Sequence, residues 1–586
     1  MLSGNFSALI SPPWSSWLKP SARKVVSKLT CKAQGRSGGL ALLWQKSLTV
    51  QLQSFRQPSS LIVKQKECAA RLVAWNTARG SNSFRRQIRL KEKDLAKIRL
   101  RPISAESKLV ENNLRADIEH LLTQEEVYWK QRGKAHWLRE GDRNTSYFHN
   151  RANFRRRTND ISRIKNGDGQ WLDKEDDIRG HIEDYFGEIF RSGNPSEEEL
   201  EKKTEAISAR VTDQMLQELS LPFTAEEISK ALSQMAPLKS PGPDVYKIAS
   251  KAIANRLKPL LDTLISPCQA AFVPGRLITD NVLLAFEVNH FLKTKRWGKK
   301  GHMALKLDIS KAYDKVEWKF LEKVLVRFGF PPKFIELIML CVSSVSYSFT
   351  LCGSQFGYVL PQRGLRQGDP LSPYLFLLCT EAFSSLLQRE ERMGCLQGVA
   401  VCRRAPPVSQ LLFLDDTLIY CRATVDAALS ILEVLRIFGR AAGQEINFNK
   451  SSVVFSKNTP SALREGIQGT LQIRVENRHD LYLGLPSVVG KSRRSVFQSI
   501  RDRVWNRICS WNEHNLSQAG KEVLIKAVAQ AIPTYAMGCF RLPISLVNEI
   551  QSMVANYWWH NGEIKKIHWL SWKKMCIPKA LGFGFS

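Results

Sequence analysis

An α+β fold is predicted by three features of this 586-residue sequence. Strand-like apolar runs and helical patterns alternate without a regular βαβ period, which argues against a doubly wound parallel sheet. One apolar run, Ala304-Leu-Lys-Leu-Asp308, ends on an aspartate shortly before a helical pattern. A second pair of apolar runs flanks two adjacent carboxylates in Leu411-Leu-Phe-Leu-Asp-Asp-Thr-Leu-Ile-Tyr420, which reads as a β-hairpin with Asp415 and Asp416 at its tip.

Composition narrows the function classes. At 43% hydrophobic the chain can bury a sizeable core, and its length implies more than one domain. Its formal charge is +31 although only 24% of residues are charged, so the basic excess reflects a shortage of acids rather than a polyelectrolyte tail. A globular chain with that balance fits a polyanionic partner, most often nucleic acid. No window approaches 18 consecutive apolar residues, so no membrane-spanning helix is expected. The 12 cysteines are scattered singly and share no metal-ligand spacing with the 10 histidines, which fits reduced thiols and no zinc knuckle.

Along the chain, residues 1–66 contain no acid and form a basic leader. Within it, Gly35-Arg-Ser-Gly-Gly-Leu-Ala-Leu-Leu-Trp44 runs from a glycine turn into an apolar strand, and it reads as a remnant of an upstream sheet rather than as a transit peptide. Residues 67–220 are expected to be a helical, basic extension. Leu114, Ile118, Leu121 and Leu122 keep the spacing of one buried stripe. Arg151, Arg155, Arg156 and Arg157 beside Phe148 and Phe154 suit a phosphate backbone with unstacked bases, and equally a solvated charged face. Near Thr224, Thr-Ala-Glu-Glu227 is a capping box. Residues 221–490 hold the carboxylate motifs, and residues 491–586 return to a helical pattern.

Asp308, Asp415 and Asp416 carry the chemistry. Adjacent aspartates at a strand end repel one another unless a cation holds them, and a hard divalent ion such as Mg²⁺ takes oxygen ligands while keeping water for a substrate phosphate. With a third carboxylate, two ions can clamp the attacking and leaving oxygens of a phosphoryl transfer. An Asp-Asp pair in a hairpin is also ordinary turn chemistry, so the dipeptide is weak by itself. Asp314, with Glu317 three residues on, is expected to cap the following helix. Between the acidic motifs lies Pro361-Gln-Arg-Gly-Leu-Arg-Gln-Gly-Asp-Pro-Leu-Ser-Pro373, whose Gly364 and Gly368 allow close approach of backbone to a ligand. Strand-Asp, glycine-rich loop and helix, then hairpin-Asp-Asp is the order expected of a polymerase palm.

At these residues the chain resembles the reverse transcriptase of plant LINE-type (non-LTR) retrotransposons, over roughly residues 125–584. The resemblance rests on Trp137-Leu-Arg-Glu-Gly-Asp-Arg-Asn-Thr-Ser-Tyr-Phe-His149, Phe272-Val-Pro-Gly-Arg-Leu-Ile-Thr-Asp-Asn281, the two aspartate motifs and the Gly364–Pro370 loop, and on Gly443-Gln-Glu-Ile-Asn-Phe-Asn-Lys450 and Tyr482-Leu-Gly-Leu-Pro486. It implies a right-hand fold of fingers, palm and thumb with a mostly antiparallel palm sheet, and RNA-directed DNA synthesis by primer extension. By the same resemblance, Asp308, Asp415 and Asp416 hold two Mg²⁺ ions, with Mn²⁺ as a substitute, and Lys450 protonates the leaving pyrophosphate. Tyr313 is the steric gate against a ribose 2′-OH, Arg366, Gln367 and Gly368 face the deoxynucleoside triphosphate, and Tyr482, Leu483 and Gly484 grip the primer. Arg276 joins Arg151, Arg155, Arg156 and Arg157 among the nucleic-acid contacts, and residues 491–586 form the thumb. The implied partners are an RNA template and a DNA primer, and the implied compartment is the nucleus.

The chain also departs from the family. Ser240-Pro-Gly-Pro-Asp244 runs directly into Val245, where the family has several tens of residues of the fingers, so an internal deletion and an incomplete fingers region are expected. Leu414 replaces a smaller residue, and its bulk is expected to crowd the metal site. The Gly35–Trp44 fragment resembles one strand of the family's endonuclease without that domain's catalytic acids and histidine, so no endonuclease activity is expected. The alternative to an enzyme is a catalytically inert remnant that retains only RNA binding.

Overall fold

The computed structural model describes residues 81–100, 105–133, 160–235, 244–352, 354–476, 481–490, 493–512, 518–559 and 567–577, together with 154, 157 and 158. The Gly35–Trp44 strand, the Trp137–His149 block and Arg151, Arg155 and Arg156 lie outside these residues; Arg157 is exposed. The described residues fall into two compact units, 162–490 in one, and 81–161 with 493–577 in the other. No described helix is long and apolar enough to cross a membrane.

The first unit is built on a five-stranded sheet. Its strands are β1 (His302–Leu307), β2 (Gln410–Phe413), β3 (Asp416–Arg422), β4 (Ser452–Phe455) and β5 (Arg474–Glu476), in the spatial order β5-β4-β1-β3-β2. All neighbours are antiparallel except β4 and β5. Side chains alternate between faces with a period of two, and each face has its own core. Met303, Leu305, Leu307, Ile419, Cys421, Val453 and Phe455 join the main core. Ala304, Leu418, Tyr420 and Leu411 pack with Ala285, Val288 and Leu292 of the helix Ile278–Thr294 and with Tyr482.

The main core gathers around the helix Ser372–Arg392, buried along nearly its whole length. Against it pack the amphipathic helix Trp318–Phe328, which ends on Gly329 with a left-handed C-cap, and the helix Val425–Ala442, which ends the same way on Gly443. Thr224 caps its helix as the sequence predicts, its hydroxyl accepting from Glu227 N while the Glu227 carboxylate accepts from Thr224 N.

The extension assigned to residues 67–220 divides between the two units, with residues 162–220 in the first. The helix Glu175–Ile189 stacks Phe186 on Phe349, and Phe190 just beyond its end stacks on Tyr347, on the hairpin of strands Tyr347–Leu351 and Ser354–Val359. Glu197 and Glu201 of the helix Glu197–Thr204 bind Lys323, and Glu201 also binds Arg327. These long-range contacts are invisible in a local charge pattern.

In the second unit, the helices Ser81–Arg99 and Ala105–Gly133 pair through Lys91–Asp117 and Arg99–Glu111 ion pairs. Leu121 of the predicted stripe is buried, and Leu114, Ile118 and Leu122 are half-buried. The helices Arg493–Asn512 and Ile544–Trp559 pack together through Arg494 and Arg501, which both bind Glu549, and through Trp511 against Tyr557.

Candidate active site

The strand register brings the distant carboxylates together. Leu307 pairs with Thr417 across β1 and β3, so one further step sets Asp308 opposite Asp416, and both side chains belong to the face that carries Lys306 and Leu418. Phe413 pairs with Asp416 across the β2–β3 hairpin, which leaves Leu414 and Asp415 as a two-residue turn. Leu414 has φ +58°, a left-handed conformation costly for a non-glycine residue. Buried neighbours hold it there, since Gln269 Oε1 accepts from Leu414 N at 3.2 Å and Asn281 Nδ2 donates to the Leu412 carbonyl at 2.9 Å. The Leu414 side chain, expected to crowd a metal, packs against the main core instead.

The carboxylates interact. Burial raises the Asp416 pKa above the ordinary aspartate value; Lys306 opposes that rise, while Asp415 and Asp308 add to it. Among the described residues, however, no three His, Cys, Asp or Glu side chains converge tightly enough to hold a metal ion. The donor chemistry nevertheless fits a hard divalent cation, because all three groups are carboxylates and Asp415 sits exposed on the turn, where a side-chain rotation costs little.

The Gly443–Lys450 block reaches the same place. Asn447 N donates to the Asp308 carbonyl at 2.9 Å and Asp308 N donates to Ser451 Oγ at 3.1 Å, so the turn bearing Lys450 cradles the Asp308 backbone. Lys450 itself is exposed. Tyr313 is half-buried and stacks on Phe376 at 4.7 Å, and its phenol is pushed up to about 12 by burial first and then by Asp415. Gln367 and Gly368 are exposed, Gly368 at φ +85°, while Arg366 lies 5.5 Å from the ring of Tyr246. The Tyr482–Leu485 hairpin turns through Leu483 at φ +49° and Gly484 at φ +77°, with Tyr482 buried beneath it.

Residues 239–486 match the family described as reverse transcriptase (RNA-dependent DNA polymerase). These residues are a reverse transcriptase domain. The chain is 28% identical over 351 residues to the transposon TX1 uncharacterized 149 kDa protein of Xenopus laevis, covering 58% of this chain and 25% of that protein. It is 54% identical over 69 residues to an uncharacterized mitochondrial protein of Arabidopsis thaliana, covering 12% of this chain and 57% of that one. A retrovirus-related Pol polyprotein from a type-1 R2 retrotransposable element of Nasonia vitripennis is 30% identical over 187 residues, covering 31% of this chain and 17% of that protein. The chain thus spans between about a sixth and just over half of these relatives' own lengths.

One expectation for the reverse transcriptase domain is corrected, the cap assigned to Asp314, and Arg276 has protein partners that the sequence does not show. Arg276, expected on nucleic acid, binds the carbonyls of Ser266, Gln269, Ile265 and Asp262 and the Asp262 carboxylate, so its guanidinium serves the turn after the helix Leu261–Leu264. Asp314 does not cap the next helix, whose N-cap is Glu317 without a side-chain cap bond. Glu317 instead accepts from Ser192 Oγ, Gly193 N and Arg363, pinning the segment after Glu175–Ile189 to the palm. Gln269, Lys306 and Ser451 support the site; Lys306 lies within the Ala304–Asp308 run without being singled out there, and no motif marks Gln269 or Ser451.

Proposed function

We propose that this chain is the reverse transcriptase module of a plant LINE-type retrotransposon and that it extends a DNA primer on an RNA template from deoxynucleoside triphosphates. The observation that carries the reading is the β1–β3 register, which sets Asp308 opposite Asp416 beside the turn holding Asp415. Relatives from Arabidopsis thaliana favour the plant source. Asp308, Asp415 and Asp416 would hold divalent cations, which when bound neutralise charge on the attacking and leaving oxygens. Tyr313, fixed by its stack on Phe376, excludes a ribose 2′-OH, and Gln367 faces the incoming nucleotide. Lys450 supplies a proton to the departing pyrophosphate from the turn against Asp308. The hairpin from Tyr482 to Pro486 holds the primer end, and the basic helix Arg493–Asn512 belongs to a thumb.

The test is Mg²⁺-dependent incorporation on an RNA template by the full chain beside an Asp415→Asn/Asp416→Asn variant. Incorporation by the parent alone upholds the reading; equal incorporation by both overturns it. The direct run from Asp244 into Val245 supports a second reading, an inert RNA-binding remnant with an internally deleted fingers region. Salt-sensitive RNA binding, with a slope of roughly −0.7 per phosphate contact, and no synthesis is its signature.

A further inference from the structure

The turn that carries Tyr313 and the loop that carries Gln367 are locked together by a short series of contacts. Leu365 N donates to the Tyr313 carbonyl at 2.7 Å and Gly364 N to the Val316 carbonyl at 2.8 Å. The Trp318 indole N–H donates to the Gly364 carbonyl at 2.8 Å. Gly364, at φ +98°, approaches so closely that a Cβ there would lie 2.6 Å from the Asp314 carbonyl oxygen. These bonds end at Leu365 and do not reach the Gln367 side chain, which is exposed and needs another partner to hold it.

That partner is a buried carboxylate. Asp314 is 8% exposed, and its Oδ1 accepts from Gln367 Nε2 at 3.0 Å. A buried carboxylate is costly unless its hydrogen bonds offset the loss of water, and Asp314 performs no capping that would explain its place. Burial raises its pKa, against which the Gln367 amide and Lys311 both act, so the amide bond is among the interactions that favour the ionised form. Orienting one amide N–H toward Asp314 also fixes where the amide carbonyl and the second N–H point, because the group is planar.

We propose that Asp314 is a positioning residue that holds the Gln367 amide in the orientation presented to the incoming nucleotide beside Tyr313. The inference rests on the reverse transcriptase reading of this site. Asp314 touches no reacting atom; it acts through Gln367. An Asn at 314 keeps an acceptor oxygen in the same place, whereas an Ala leaves the amide free to rotate.

The experiment compares the full chain with Asp314→Asn, Asp314→Ala, Gln367→Leu and the Asp314→Ala/Gln367→Leu double variant. Steady-state primer extension and amide hydrogen exchange across residues 361–371 are the readouts. Loss of one hydrogen bond to a charged group predicts that Asp314→Ala raises KM for the deoxynucleotide about tenfold, with kcat within about twofold. Exchange across 361–371 rises in the same variant, Asp314→Asn recovers most of both effects, and the double variant is no worse than the worse single one. Parent-like KM and exchange in Asp314→Ala overturn the inference, as does a kcat loss without a KM change. If the parent itself incorporates nothing, the reverse transcriptase reading fails while the exchange arm still decides whether Asp314 holds the loop. If Asp314→Ala does not fold, exchange in Gln367→Leu decides: a rise in 361–371 upholds the tie and parent-like protection overturns it.

Discussion

Lys306 donates its ammonium to the Leu481 carbonyl at 2.9 Å, which ties the strand leading into Asp308 to the hairpin that follows Leu481. One side chain therefore links the acidic end of the sheet to the segment proposed to hold the primer. Lys306→Met keeps the apolar stem and removes the donor. The expected outcome is a five- to tenfold rise in KM for primer–template, about the value of one charge-assisted hydrogen bond, with the fold intact. Primer titration at fixed salt checks it, and an unchanged KM would show that the tie is dispensable.

Gly364 is a position where the backbone, not a side chain, sets the requirement. Its φ of +98° is one that L side chains rarely adopt, and an added Cβ would meet a backbone oxygen that cannot move alone. Gly364→Ala is expected to destabilise the domain by about 2–4 kcal/mol and to abolish incorporation, since the strain and the clash fall on the loop holding Gln367. Thermal unfolding measures the first part. A parent-like midpoint together with parent-like activity would mean that the loop yields easily.

A pH effect follows from His302 at the start of β1. Burial, with the nearby charges of Lys295, Arg422 and Lys300, lowers its pKa from 6.5 to about 4, and its buried Nδ1 has no hydrogen-bond partner among the described residues. The folded chain thus holds the ring neutral, while the unfolded chain protonates it below about 6.5. Its contribution is present above that value and is lost as pH falls from about 6.5 through 4. The ring is partly exposed, so screening reduces the effect to about 1 kcal/mol. His302→Gln is expected to flatten the stability profile between pH 6.5 and 4. A slope identical to that of the parent would refute the assignment.

Where the sequence was legible, the reason was local periodicity or strict order along the chain. The Asp308 strand, the Asp415–Asp416 hairpin and the Thr224 capping box all announce themselves within a few residues. Asp314 was misread because an acid three residues before a glutamate satisfies the capping pattern, whereas its partner, Gln367, lies 53 residues away. The partners of Arg276 are equally hidden from the sequence, because its acceptors are carbonyls exposed by a helix end that only the fold reveals. Gln269 carried no signal at all. Its role depends on the Leu414 turn being strained and in reach, and both conditions are tertiary.

A buried ion pair between Arg210 and Glu381, 171 residues apart, has no local sequence signature. Glu381, in the middle of the helix Ser372–Arg392, has a fully buried side chain that accepts from Arg210 at 2.8 Å, from Ser266 N at 3.0 Å and from the Ser266 hydroxyl. Arg210 also binds the Leu264 carbonyl, and Gln388 donates to Ser266 Oγ. This cluster joins the segment before residue 220, the turn after the helix Leu261–Leu264 and the core helix. A buried pair is weak evidence for stability, since its desolvation cost rivals its Coulomb gain, but removing one partner strands the other. Glu381→Leu is therefore expected to cost about 3–5 kcal/mol, because Arg210 keeps its charge in a site only 20% exposed. Glu381→Leu/Arg210→Met removes both charges and is expected to recover at least half of that loss. Chemical denaturation followed in the full chain decides the matter: a double variant no more stable than Glu381→Leu would mean that the hydrogen bonds to Ser266, rather than the stranded charge, hold the three segments together.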